Sequence, residues 1–266
     1  MTPPGPSSKW ADLAPRAASA AVMIAVGTAC VVAGGVWFQM VTVFVTAVMI
    51  WELWIMIEPQ LPTPGMLLAA LVASVLSGQL AIQEPWGLLL FLVAPLAGAL
   101  ALRRERVTFL LFALAVQLAG WGLVTFRIDY GFFWLLWLIL VVVMTDVAGY
   151  FAGRLFGGPK FWPKVSPKKT WSGTVAGWVG AALVGFLFQN FTRAGLEIVP
   201  LSVLLSIASQ WGDIAESALK RRMGVKDSSQ LIPGHGGLFD RFDAMLGASL
   251  FMLFITAVFG VPGAPA

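Results

Sequence analysis

FFWLLWLILVVVMTDVAGYFA, residues 132–152, is an apolar run broken by a single acid, Asp146. A transmembrane helix takes about 20 such residues, whereas a transmembrane strand takes about 9–11 and alternates apolar with polar. This run is long and does not alternate, so it predicts a helix in lipid. Runs like it recur along the 266 residues, which are 59% hydrophobic with a mean hydropathy of +0.86. A water-soluble domain is nearer ~45–50% apolar even with glycine counted. The chain therefore reads as an all-α, polytopic integral membrane helical bundle.

Measured against that length, the sequence predicts about nine spans: 17–35, 36–57, 66–83, 86–102, 107–126, 132–152, 172–191, 196–219 and 238–260. Proline, glycine or charge marks nearly every break, as at Glu58-Pro59, Pro62-Thr63-Pro64-Gly65 and Glu84-Pro85. The weakest break is Gly34-Gly35, where one long run is divided by glycine and length. Lys9 and Arg16 before an apolar stretch have the outline of a signal peptide, but the eight spans that follow favour a retained first helix. Residues 1–16 are expected to be a disordered leader, 17–126 a scaffold of transmembrane helices, and 127–266 a catalytic transmembrane region.

With nine spans, 15 of the 17 basic residues fall on one side, and only Arg127 and Arg193 lie opposite. The positive-inside rule then places the N-terminus and the basic loops in the cytoplasm. Cys30 lies alone in an apolar run, so no intrachain disulfide forms. The small-xxx-small pairs Gly149/Gly153 and Gly173/Gly177 predict close helix packing.

The acids follow the basic residues. Asp146, Asp213 and Glu216, Asp240 and Asp243 each fall near the same end of spans six, eight and nine. A carboxylate at a helix centre costs about 2.5–3.5 kcal/mol on insertion scales, so such a cluster needs a cation, basic side chains or water. Asp213, Ser217 and Lys220 share one helical stripe, and Asp240 and Asp243 share another. Magnesium takes one or two carboxylates plus phosphate oxygens and water, which these stripes provide. One histidine and one cysteine exclude a tetrahedral zinc site. Between the stripes, Pro233-Gly234-His235-Gly236-Gly237 brings glycine-freed backbone to a helix N-terminus, which favours anions. Ser166-Pro167-Lys168-Lys169-Thr170 offers two hydroxyls and two ammonium groups ahead of span seven, either as a phosphate clamp or as an anchor to anionic lipid.

The block from Ser217 to Asp243, SALKRRMGVKDSSQLIPGHGGLFDRFD, resembles the signature of the CTP:phosphatidate cytidylyltransferases, the CDP-diacylglycerol synthases. The order Ser-x-apolar-Lys-Arg, four residues, Lys-Asp, then Pro-x-His-Gly-Gly-apolar-x-Asp-Arg-apolar-Asp holds at every position. The Asp146-Val147-Ala148-Gly149-Tyr150 to Gly157 run and the Ser166–Thr170 run are similar to segments of the same family. The resemblance covers about Asp146 to Asp243, and the first five spans add only hydropathy to it.

This resemblance implies transfer of the cytidylyl group of CTP to phosphatidate, giving CDP-diacylglycerol and pyrophosphate, with magnesium and an option on a second cation. It implies Lys220, Lys226, Asp227 and Arg241 as catalytic residues. Ser166, Lys168, Lys169, Thr170, Ser217, Arg221, His235, Gly236 and Gly237 would bind substrate. Asp213, Asp240 and Asp243 would hold metal, with Asp146 as a further candidate. The implied partners are CTP, phosphatidate and membrane lipid, with no nucleic acid and a homodimer left open. The implied setting is a bacterial inner membrane, with the active site facing the cytoplasm. Two other classes fit the sequence less well. An ion-coupled transporter would want two related halves, which the sequence lacks. A CDP-alcohol phosphotransferase would want an Asp-Gly-x-x-Ala-Arg pattern, also lacking.

Overall fold

A computed structural model of the chain describes residues 13–263, with side chains from residue 17 onward. Most of the expected leader lies outside the described residues, and its last four positions, 13–16, belong to the first helix.

Nine α-helices follow one another among the described residues: α1 (Leu13–Ala33), α2 (Gly35–Ile57), α3 (Pro62–Ile82), α4 (Val93–Ala101), α5 (Arg106–Tyr130), α6 (Phe132–Leu155), α7 (Trp171–Phe188), α8 (Ile198–Met223) and α9 (Phe239–Val258). Seven helical segments are long and apolar enough to cross a membrane, namely α2, α3, α5, α6, α7, α8 with its leading turn, and α9. Two shorter apolar stretches, Ala17–Ala33 and Pro85–Ala101, coincide with the first and fourth expected spans. The architecture is that of a helical membrane protein.

The α1–α2 break falls at Gly34, whose φ of +62° suits glycine and lets the chain reverse at once. The fourth expected span is not one helix. Pro85–Leu92 is wound as 3-10 and only Val93–Ala101 is α-helical. Pro95 has no N–H to give the carbonyl of Phe91, and Gln117 from α5 donates to that carbonyl instead at 3.1 Å. The expected all-α fold also gains a small antiparallel hairpin, β1 (Lys160–Trp162) with β2 (Ser166–Thr170), in the loop between α6 and α7.

In lipid the gain from excluding water is absent between helices, so close packing and polar contacts hold them together. A Cβ on Gly173 would run into the carbonyl of Gly149, and one on Gly177 would come within 3.1 Å of the Thr145 carbonyl, so these glycines join α6 to α7 inside the chain. A Cβ on Gly212 would meet the Asp243 carbonyl and Gly247, which marks the close crossing of α8 and α9. Side-chain hydrogen bonds add to this. Trp137 donates to Ser202 at 2.8 Å, Thr145 to Ser206 at 2.7 Å and Trp178 to Gln210 at 3.0 Å.

The polar ends of the helices meet at one end of the bundle. Arg104, just after α4, donates to the Ile57 carbonyl at the end of α2 at 2.6 Å. Arg222, in the last turn of α8, pairs with Glu105 ahead of α5 at 2.9 Å. A hydrogen bond from Thr108, then Arg222, holds the Glu105 carboxyl below its ordinary range. The same end carries the hairpin, the start of α7 and the loop between α8 and α9.

Candidate active site

At this end α6, β2, α7 and α8 enclose a cavity of about 370 Å³ lined by Asp146, Arg154, Lys168, Lys169, Thr170 and Asp213, among others. Each element contributes for a local reason. Asp146 and Arg154 share the final turns of α6, which the glycines let α7 approach closely. The hairpin delivers Lys168 and Lys169 to the rim, and Thr170 ends the strand and caps α7 by accepting from the Gly173 N–H at 3.2 Å. Lys169 forms an ion pair with Asp213 of α8. Ser217, one turn on, donates to Asp213 at 3.2 Å. Asp243, on the facing turn of α9, lies within electrostatic reach of both Asp213 and Asp146. The Gly212–Gly247 crossing explains that approach, because Asp213 adjoins the first glycine and the Asp243 carbonyl lies against it.

The cavity thus gathers Asp146, Lys168, Lys169, Thr170 and Asp213 of the expected set, with Ser217 and Asp243 beside it. Ser166 starts β2, paired with Trp162, and is not among the lining residues. Arg154 and Tyr150, joined at 2.8 Å, line the wall and are not among the expected site residues.

The signature block forms a second, adjoining assembly. Lys220 lies between two acids, 2.5 Å from Glu216 and 2.6 Å from Asp240, and its side chain is only 12% exposed. It is fixed there, and Lys220 and Arg221 stand on α8, which runs to Met223, rather than in a loop. Lys226, Asp227, Arg221 and Arg241 are exposed, and Arg241 donates to the His235 carbonyl at 3.0 Å. The His235 ring meets the Ser19 hydroxyl of α1 at 2.8 Å.

One expectation changes here. The N-terminus of α9 was read as an anion cradle, but its N–H groups are already engaged by the protein's own carboxylates. Gly237 N–H donates to Asp240 at 2.8 Å, and Leu238 and Phe239 donate to Glu52 at 3.0 and 2.6 Å. Gly236 has a φ of +81°, and a Cβ on Gly237 would strike Ser228 and Glu52, so turn geometry and crowding account for both glycines. Asp240, in turn, has both oxygens engaged, one by Lys220 and the other by the Ser228 N–H, the Ser228 hydroxyl and Gly237. It organises the loop through these contacts.

Glu52, which anchors this loop, is not among the residues expected from the sequence. It lies in α2, in the region expected to be scaffold, and is fully buried. The one available signal was a lone acid inside MIWELWIMI, residues 49–57.

No group of three or more His, Cys, Asp or Glu side chains among the described residues forms a ready-made metal cage. The chemistry of the acids still suits a hard cation that keeps water and substrate oxygens as ligands. Asp146 makes no hydrogen bond among the described residues, and the one recorded for Asp243 is from the Ala244 N–H at 2.7 Å, so both retain acceptor capacity.

Comparison with known proteins places these residues in a family. Over 138 residues the chain is 45% identical to a phosphatidate cytidylyltransferase of Brucella suis, covering 51% of each protein. It is 44% identical over 129 residues to the protein of that name from Haemophilus influenzae, covering 46% of this chain and 45% of the relative. The Bacillus subtilis protein of that name is 39% identical over 134 residues, 49% of this chain and 50% of the relative. The chain thus spans about half the length of the curated relatives it matches. The model of the cytidylyltransferase family matches residues 14–259, from α1 into the residue after α9, and on that match the chain belongs to the cytidylyltransferase family.

Proposed function

We propose that this protein is a phosphatidate cytidylyltransferase: it transfers the cytidylyl group of CTP to phosphatidate, giving CDP-diacylglycerol and pyrophosphate. The observation that carries the reading is the cavity at one end of a membrane bundle, where Lys168, Lys169 and Arg154 face Asp146 and Asp213. A water-soluble triphosphate and a lipid phosphate can meet there, at the level of the lipid headgroups. The distribution of the basic residues supports a cytoplasmic setting for that end and nine crossings, with α1 and the Pro85–Ala101 stretch counted as spans.

An oxygen of the lipid phosphate attacks the α-phosphorus of CTP, and the bond to the β-phosphate oxygen breaks as pyrophosphate leaves. A phosphate monoester has its second pKa near about 6 and is mostly dianionic at neutral pH, so no strong base is required. The obstacle is repulsion between two anions, and the remedy is positioning and positive charge. Lys168, Lys169 and Arg154 supply charge in the cavity. Lys226, Arg221 and Arg241 supply it from the exposed loop. Lys220 and Asp227 act from within the signature block, and Thr170, Ser217 and His235 position neighbouring groups. Asp146, Asp213 and Asp243 would hold Mg²⁺, which would neutralise charge on the triphosphate. Lys169 would then exchange Asp213 for a substrate phosphate.

The test is pyrophosphate release by the purified protein in detergent with CTP, phosphatidate and magnesium. Release that requires both substrates, with CDP-diacylglycerol as the lipid product, is expected. Equal release with ATP, GTP or UTP, or release without lipid, would overturn the reading.

A further inference from the structure

The loop from Ser228 to Phe239 is gripped from two sides. Asp240 holds it from α9, as described. From α2 comes Glu52, at the cluster of apolar side chains that includes Met49, Leu53, Met56, Leu219 and Phe239. Three donors reach Glu52. One oxygen accepts the Ser229 hydroxyl at 2.6 Å and Leu238 N–H at 3.0 Å, and the other accepts Phe239 N–H at 2.6 Å, with the Ser228 hydroxyl, whose proton goes to Asp240, 3.3 Å away. A carboxylate in such surroundings persists only when its oxygens are satisfied, and here three donors satisfy both. One of the donors comes from the start of the loop and two from its end, so one side chain closes the loop at its base. Beyond that base the loop turns through the Ile232–Gly236 bridge and presents His235, with Arg241 bonded to the His235 carbonyl.

We infer that Glu52 is a positioning residue of the active site, holding the Ser228–Phe239 loop so that His235 and Arg241 are presented to the phosphates in a fixed arrangement. The inference rests on the cytidylyltransferase reading of the site. It accounts for the placement of Gly237, where any side chain would meet Glu52 and Ser228. It also gives the N-terminal helices a part in the chemistry through one residue. A glutamine at 52 keeps the shape but replaces one oxygen with an N–H donor, which in either orientation faces a backbone N–H, of Leu238 or of Phe239, and repels it.

The experiment compares the full-length protein with Glu52→Gln and Ser229→Ala, reading pyrophosphate release and, separately, amide hydrogen exchange over residues 226–240. For Glu52→Gln the KM for CTP or phosphatidate is expected to rise at least about tenfold, more than kcat falls, with exchange at Leu238 and Phe239 faster by about tenfold or more. Ser229→Ala, which removes one donor from the rim, should move both readouts the same way by a smaller factor. Should Glu52→Gln fail to fold, Ser229→Ala decides. Wild-type KM and wild-type exchange in a folded variant would overturn the inference, as would an equal loss of kcat alone with the loop still protected. If the wild-type protein releases no pyrophosphate from CTP and phosphatidate, the functional reading fails, while the exchange measurement still reports whether Glu52 holds the loop.

Discussion

Asp243 and Lys169 are the residues on which the proposed chemistry turns. Asp243 has like charges for neighbours and retains acceptor capacity, so Asp243→Asn should cut turnover about 10²-fold or more while the bundle stays folded. Steady-state kinetics beside a melting curve in detergent checks both halves of that statement. Lys169→Ala removes the partner of Asp213 and a charge from the cavity. A higher KM with little change in melting temperature is expected, because a partly exposed ion pair is worth only about 0–1 kcal/mol. At this scale the sequence was informative where residues lie close together in the chain. Helical spacing correctly grouped Asp213 with Ser217, and the signature grouped Asp240 with its loop. It could not show that Asp240 is engaged by Lys220, Ser228 and Gly237, since hydrogen-bond occupancy depends on how the loop folds back. Glu52 was hidden for the same reason, being 176 residues from the hydroxyl of Ser228.

At the level of the elements, the α8–α9 crossing is what brings two carboxylates together. Gly212→Leu would push against the Asp243 carbonyl and Gly247. Overpacking of this kind costs about 1–3 kcal/mol, and here it would also separate Asp213 from Asp243. Activity should therefore fall well beyond what the drop in melting temperature accounts for, whereas Gly27→Ala in α1, where nothing lies within 4 Å of a new Cβ, should alter neither. The helices themselves were legible because a run of about 20 apolar residues has few alternatives in lipid. The 3-10 stretch Pro85–Leu92 was not, because hydropathy is blind to how Pro95 interrupts the hydrogen-bond ladder. The hairpin Lys160–Thr170 escaped because strands of three and five residues carry almost no periodicity. The glycine pairs on α6 and α7 were correctly read as packing surfaces. They pack against each other within the chain, so they give no support for a homodimer.

Taken as a whole, the molecule ties its N-terminal helices to its C-terminal ones at the polar end. Glu105 with Arg222 is one such tie. Its stabilisation is present in full above the ordinary glutamate value of about 4.5 and is lost as pH falls through the lower value that Thr108 and Arg222 impose. Melting curves of wild type and Glu105→Gln should accordingly differ at neutral pH and converge in strong acid. The expected division into an N-terminal scaffold and a C-terminal catalytic region was drawn from where the signature lies, and Glu52 crosses it. Residues 127–266 expressed alone should therefore show no cytidylyl transfer, and co-expression with residues 1–126 is the check.

One consequence of the engaged α9 N-terminus concerns ionic strength. Backbone dipoles buried at a helix end are shielded from dissolved ions, but here they already face Glu52 and Asp240. On the proposed function, attraction for an incoming triphosphate would fall to exposed side chains such as Lys168, Lys226 and Arg241, which are open to counterions. With a Debye length of about 8 Å at physiological salt, that attraction is short in reach and easily screened. Cytidylyl transfer at low CTP should decline steeply as potassium chloride is raised, while the rate at saturating CTP holds.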